Sequence, residues 1–93
     1  MITHEVVPKY WDNNEIVASP IYGRVEGICI KSGERIYEWQ PLIIIRKEQG
    51  SLEQILVGMS GLIDSLHVNI GDKVIPGEVL VSIKEDLFVT GSD

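Results

Sequence analysis

Cys29 and His67 are the side chains best suited to nucleophilic or metal chemistry, and they occupy equivalent places in two similar stretches of the chain. A thiolate beside an imidazole can attack a carbonyl or bind a transition metal, but a metal site needs further ligands at recognisable spacing. None accompanies either residue. Each is flanked by apolar neighbours in a strand-like run (Ile28 and Ile30, Leu66 and Val68), which places it on an outer or edge face. His4 lies near the N-terminus without a partner that the sequence names. The carboxylates of Glu34, Asp72, Glu85 and Asp86 fall at turns, where acids more often cap loops than act as acid–base pairs. No Ser–His–Asp order, Gly-rich phosphate loop or zinc spacing occurs. The residue types therefore point away from catalysis.

The elements that must position these groups are announced by an internal duplication. Residues 23–45 repeat as residues 61–83: Gly23 falls on Gly61, Gly33 on Gly71, Leu42 on Leu80 and Ile45 on Ile83. Of 23 aligned pairs, 4 are identical and 8 conservative, too many for unrelated halves. Two copies are too few for a solenoid, which needs about three. A pair instead closes on itself with pseudo-twofold symmetry, each half covering the other's apolar side.

Ninety-three residues make one domain with a modest core. A net charge of −6 argues against nucleic acid, whose recognition needs a basic footprint. No apolar run approaches the roughly 20 residues of a membrane span. The opening residues lack the basic-then-apolar order of a signal peptide. One cysteine makes no internal disulfide, so a cytoplasmic setting is expected.

Val- and Ile-rich runs predict strands at residues 15–18, 24–30, 41–46, 54–57, 62–68 and 78–84, with shorter pieces at 35–37 and 73–75. Turns fall at Lys31-Ser32-Gly33-Glu34, Asn69-Ile70-Gly71-Asp72 and Ile75-Pro76-Gly77-Glu78, and a loop at Gln49-Gly50-Ser51 separates the repeats. The expected core contains Val17, Val25, Ile28, Ile30, Ile36, Leu42 and Ile44, with Ile63, Leu66, Val68, Val74, Leu80 and Ile83. A bulge expected near Glu26-Gly27 leaves the facing of Ile43 against Ile44 open by one residue. The organisation is an N-terminal arm (1–14), a repeat domain (15–85) and a C-terminal tail (86–93). The apolar Leu87-Phe88-Val89 in that tail could extend a sheet or dock on a partner.

Ala18-Ser19-Pro20-Ile21-Tyr22-Gly23 before Val25 resembles the opening A-P-x-x-G-x-V of biotinyl and lipoyl domains. Val68-Asn69-Ile70-Gly71-Asp72-Lys73-Val74 is similar to their V-x-x-G-D-x-V turn, and Ile30–Ile36 is its weaker copy. Gln40-Pro41-Leu42 and Gly77-Glu78-Val79-Leu80 resemble the G-Q-P-L step that follows. The resemblance covers roughly residues 16–84. It implies an all-β, flattened barrel-sandwich hybrid of two four-stranded antiparallel sheets.

In the family, a lysine at the hairpin between the halves takes biotin or lipoate through an amide bond. Counting forward from the preceding strand, that position is Gln49; counting back from the second repeat's glycine, it is Gly50. Neither side chain carries an amine. Lys47 is the only lysine nearby, and the flanking Met-Lys-Met or Asp-Lys signatures are absent. The leading expectation is an unmodified, stand-alone biotinyl/lipoyl-like domain acting as a protein-interaction or scaffold module, without cofactor. The alternative is a biotin or lipoate carrier acylated on Lys47 in an unusual register. Tyr10, Trp11, Tyr37 and Trp39 are candidate interface aromatics, although the favoured expectation is that Trp39 covers an end of the barrel and Tyr10-Trp11 pin the N-terminal arm onto it. The partner is an unidentified protein, and an exposed sheet edge leaves a homodimer open.

Overall fold

The computed structural model describes residues 1–85, whose regular elements are all strands. In chain order they are β1 (Ile2–Val6), β2 (Lys9–Trp11), β3 (Asn14–Ala18), β4 (Gly23–Ile28), β5 (Arg35–Ile36), β6 (Ile43–Arg46), β7 (Leu52–Val57), β8 (Gly61–Leu66), β9 (Lys73–Val74) and β10 (Val79–Glu85). One sheet runs β1-β7-β6-β4-β9 and the other β2-β3-β10-β8-β5. The tail residues Leu87, Phe88 and Val89 lie outside the described residues.

The repeat governs the architecture. Gly33 N–H donates to Ile63 C=O and Gly71 N–H to Val25 C=O, both at 2.8 Å. In return, Ile63 N–H donates to Glu34 C=O and Val25 N–H to Asp72 C=O. Each repeat's turn is thus bonded to the other repeat's strand, which is how two copies close without a third. The acids of these turns cap them: the Glu34 carboxylate accepts from Lys31 N–H and that of Asp72 from Asn69 N–H. Gly33 and Gly71 adopt φ of 85° and 94°, a conformation that side chains other than glycine's resist.

The expected four strands per sheet become five because the N-terminal arm adds one to each. β1 runs parallel to β7, with Ile2, His4 and Val6 in register beside the buried Glu53, Ile55 and Val57; His4 and Val6 are partly buried and Ile2 is exposed. Only Val7 and Pro8 separate β1 from β2, carrying the chain across to the other sheet. There β2 and β3 form a hairpin whose turn residues, Asp12 and Asn13, both have positive φ. Such turns match the strand twist, and Asp and Asn tolerate the conformation.

The core holds Val17, Val25, Ile36, Leu42, Ile43, Ile45, Ile55, Val57, Ile63, Val74, Leu80 and Ile83, among others. Burying each such side chain contributes about 1.5–3 kcal/mol. Ile43 and Ile45 face inward and Ile44 outward, which corrects the expected placement of Ile44. The cause is a register shift between Val25 and Gly27 in the β4–β6 pairing, within the region where a bulge was expected. Ile28 and Leu66, expected in the core, are partly buried against it.

Candidate functional site

β6 and β7 pair antiparallel from Ile43↔Ile55 out to Arg46↔Leu52, and the hairpin between them joins the two repeats. Lys47 N–H donates to Ser51 C=O at 2.9 Å and Gly50 N–H to Lys47 C=O at 2.8 Å. Lys47 therefore opens the turn, Glu48 and Gln49 form its exposed apex, and Gly50, at φ 100°, begins the return. The Lys47 side chain is half-buried at the base of the turn.

Arg46 ties this hairpin down. Its Nε and Nη2 donate to the two carboxylate oxygens of Glu26 at 3.0 and 3.1 Å, and its Nη1 reaches Gly50 C=O at 3.3 Å. A two-pronged guanidinium–carboxylate contact fixes orientation as well as distance. The hydrogen bonds from Arg46, and then its charge, hold the Glu26 carboxyl below its ordinary range.

On the return strand Glu53 is buried, 3 % exposed. His4 Nε2 lies 2.5 Å from its Oε1, and Ser51 Oγ donates to its Oε2 at 3.2 Å. The hydrogen bond from His4 is the main cause that holds the Glu53 pKa below its ordinary value; burial opposes it, while Ser51 and the Lys47 charge reinforce it. His4, without an assignable partner in the sequence, thus completes the hairpin from 49 residues away.

Gly23 and Gly61, which open the repeats, let neighbouring strands approach closely, β4 against β6 of the hairpin and β8 against β10. A Cβ at Gly23 would stand 2.4 Å from Ile45 Cγ2 and 2.8 Å from Arg46 O; at Gly61 it would stand 2.5 Å from Lys84 O.

The other sequence candidates lie elsewhere. Cys29 follows β4 in one sheet and His67 follows β8 in the other, so they share no site. His67 Nε2 is instead 2.9 Å from Ser65 Oγ and 3.0 Å from Ser82 Oγ. It lines an open groove of about 450 Å³ with Tyr10, Trp11 and Ile16, a feature with no sequence signal. Among the described residues, no three His, Cys, Asp or Glu side chains gather as a metal site would require. The aromatics do not form one surface either. Tyr10 and Trp11 lie on β2, while Tyr37 and Trp39 follow β5, and those strands are opposite edges of one sheet. Trp39 has φ 67° where its repeat mate is Gly77, and its ring lies over Gly58. No helix among the described residues is long and apolar enough to cross a membrane.

No family model matches the chain. The chain is 31% identical over 75 residues to the human mitochondrial propionyl-CoA carboxylase alpha chain, a match covering 78% of this chain and 10% of that one. It is also 31% identical over 65 residues to the biotin carboxyl carrier protein of Streptococcus mutans, covering 70% of this chain and 49% of that protein. The chain thus spans about half the length of the carrier protein and a tenth of the carboxylase chain. The solution structure of the lipoyl domain from the 2-oxoglutarate dehydrogenase complex of Azotobacter vinelandii superposes with a TM-score of 0.65. That match, at 24% identity, covers 75% of this chain and 95% of that domain. The chain belongs to the biotinyl/lipoyl domain family.

Gln49, the counted acceptor position, stands at the exposed apex, and Gly50, the other count, lies one step beyond it. Lys47 is one residue short of the apex. Both counted positions lie in the turn between β6 and β7, and Lys47 is half-buried at its start.

Proposed function

We propose that this biotinyl/lipoyl domain works unmodified, as a non-enzymatic protein-interaction module. One observation carries the reading: the hairpin forms a tight, hydrogen-bonded turn whose apex, Glu48-Gln49, has no amine to acylate. A ligase needs a primary amine free to enter its active site. Lys47 offers its amine from the base of the turn, half-buried, with its backbone N–H and C=O both engaged. The acids Glu34 and Asp72, which could have served acid–base chemistry, are occupied as turn caps. A reducing, cytoplasmic setting suits the single exposed thiol of Cys29.

A second reading, a biotin or lipoate carrier acylated on Lys47, is favoured by the relative named as a biotin carboxyl carrier protein. The test is the intact mass of the protein produced alongside active biotin and lipoate ligases, with peptide mapping. The unmodified mass is expected. A biotinyl or lipoyl adduct on Lys47 overturns the module reading in favour of the carrier.

A further inference from the structure

Beside the hairpin, this acidic protein concentrates its positive charge. Arg24 at the start of β4, Arg46 and Lys47 at the hairpin base, and Lys73 on β9 line one open cleft of about 710 Å³, walled by Tyr22 and Ile75. These are four of the chain's eight lysines and arginines, in a protein of net charge −6, and Glu48 is the only acid lining the cleft. Even with Glu48 in the cleft and Glu26 on Arg46, the lining keeps an excess of positive charge in an acidic protein.

The repeat shows that the cluster is a departure from the shared architecture. Arg46 and Lys73 have basic counterparts 38 positions away, Lys84 and Arg35. Arg24 instead corresponds to Leu62, and Lys47 to Glu85. Both differences make the cleft more positive than its pseudo-symmetric mate, although the backbone of the two halves is built alike. Folding therefore does not demand the extra cations.

Their partners leave much of that charge available. Arg46 is paired with Glu26. Arg24 is held by a neutral acceptor, its Nη1 donating to Gly71 C=O at 2.6 Å, so it is oriented without being neutralised. The side chains of Lys47 and Lys73 make no hydrogen bond or ion pair within the described structure, although the Lys47 charge acts on Glu53 from a distance. Beside them, Tyr22 is 68% exposed and Ile75 56% exposed, giving an uncovered apolar wall.

We infer that this cleft is a docking site for an acidic, extended segment of a partner protein, with one apolar side chain seated against Tyr22 and Ile75. The inference rests on the reading of the domain as an interaction module and names the chemistry of its partner. A peptide fits better than a compact phosphate. The donors are long side chains spread over β4, the hairpin and β9, and the cleft is lined by neither a helix N-terminus nor a glycine-rich nest of N–H groups. Spaced ammonium and guanidinium groups suit spaced carboxylates, which also speed encounter by long-range attraction.

The test uses the full chain, its mass first verified as unmodified, and a short fluorescent peptide of Glu and Asp around one Leu. Anisotropy measures binding, and amide shifts in nitrogen-15 NMR locate it. Binding is expected to weaken with salt, to shift amides of residues 22–24, 46–49 and 73–75, and to fall about tenfold in Arg24→Gln/Lys73→Gln. Arg24→Lys, which keeps the charge, should bind nearly as wild type. The double variant leaves Lys47 untouched, so an adduct on Lys47 would sink the module reading without affecting this readout. Absence of binding, shifts confined to other surfaces, or an unaffected double variant would overturn the docking site and leave the mass result standing. If inorganic phosphate or ATP produces the same shifts more tightly than the peptide, the site takes small anions and the peptide proposal fails.

Discussion

Adding one methyl group at each of three glycines separates close strand approach from ordinary packing. At Gly23 the new Cβ would meet Ile45 Cγ2 at 2.4 Å and Arg46 O at 2.8 Å; at Gly61, Lys84 O at 2.5 Å and Ile83 Cγ2 at 2.8 Å. Favourable carbon–carbon contacts lie at about 3.5–4.0 Å, so these are roughly 1 Å too short. In both cases one obstacle is a carbonyl of the neighbouring strand, so the sheet itself must open. Overpacking typically costs 1–3 kcal/mol, and the need to move backbone argues for about 3. Restricting the unfolded chain returns about 0.4–1 kcal/mol, leaving a net loss of about 2 kcal/mol. For a domain of this size that lowers Tm by about 8–16 °C. Gly27 is the control: its Cβ would lie 3.6 Å from Ile44 Cβ, an ordinary contact, without a positive φ. Gly27→Ala should therefore gain about 0.5 kcal/mol, raising Tm by about 2–4 °C. Calorimetry of Gly23→Ala, Gly61→Ala and Gly27→Ala decides the matter. If the first two melt with wild type, or if Gly27→Ala falls as far as they do, the close-approach argument is wrong.

Two further expectations concern the hairpin. Glu53 has its pKa lowered, chiefly by the hydrogen bond with His4. A depressed carboxyl contributes stability that is full above its unfolded-state value, near 4.5, and is lost as pH falls through the folded-state value. Melting curves of wild type and Glu53→Gln should therefore differ most above pH 4.5 and converge below it; a constant difference throughout would refute the assignment. Gln49→Lys puts an amine at the exposed apex, where substitution should change stability by less than about 0.5 kcal/mol. Coexpression with biotin and lipoate ligases should then yield an adduct on residue 49, read by mass; a fully unmodified product would show that hairpin shape and an apical lysine are insufficient.

Much of the fold was legible because its signals are local. Period-two runs of Val and Ile mark the strands, Gly33 and Gly71 mark turns that require positive φ, and the repetition of both across 38 residues implied two halves closing on each other. The same locality marked the turn between the repeats, since Gln49-Gly50-Ser51 signals a loop without tertiary information.

Tertiary structure decided what depends on distant residues meeting. β1, with Thr, His and Glu in five residues, reads as a polar arm until β7 supplies a partner edge and partly buries His4 and Val6. Glu53 looks like a solvated strand acid until His4 reaches it from 49 residues away. Ile43 and Ile44 exchange faces because a bulge in β4 shifts the register between strands. The basic cleft is the clearest case. Arg24, Arg46, Lys47 and Lys73 each read as a solvated charge at a strand end, and only closure of the two repeats brings them to one surface. Sequence encodes the period and the turns, because these depend on neighbours; electrostatic fields and buried pairs depend on separations that exist only after the chain has folded.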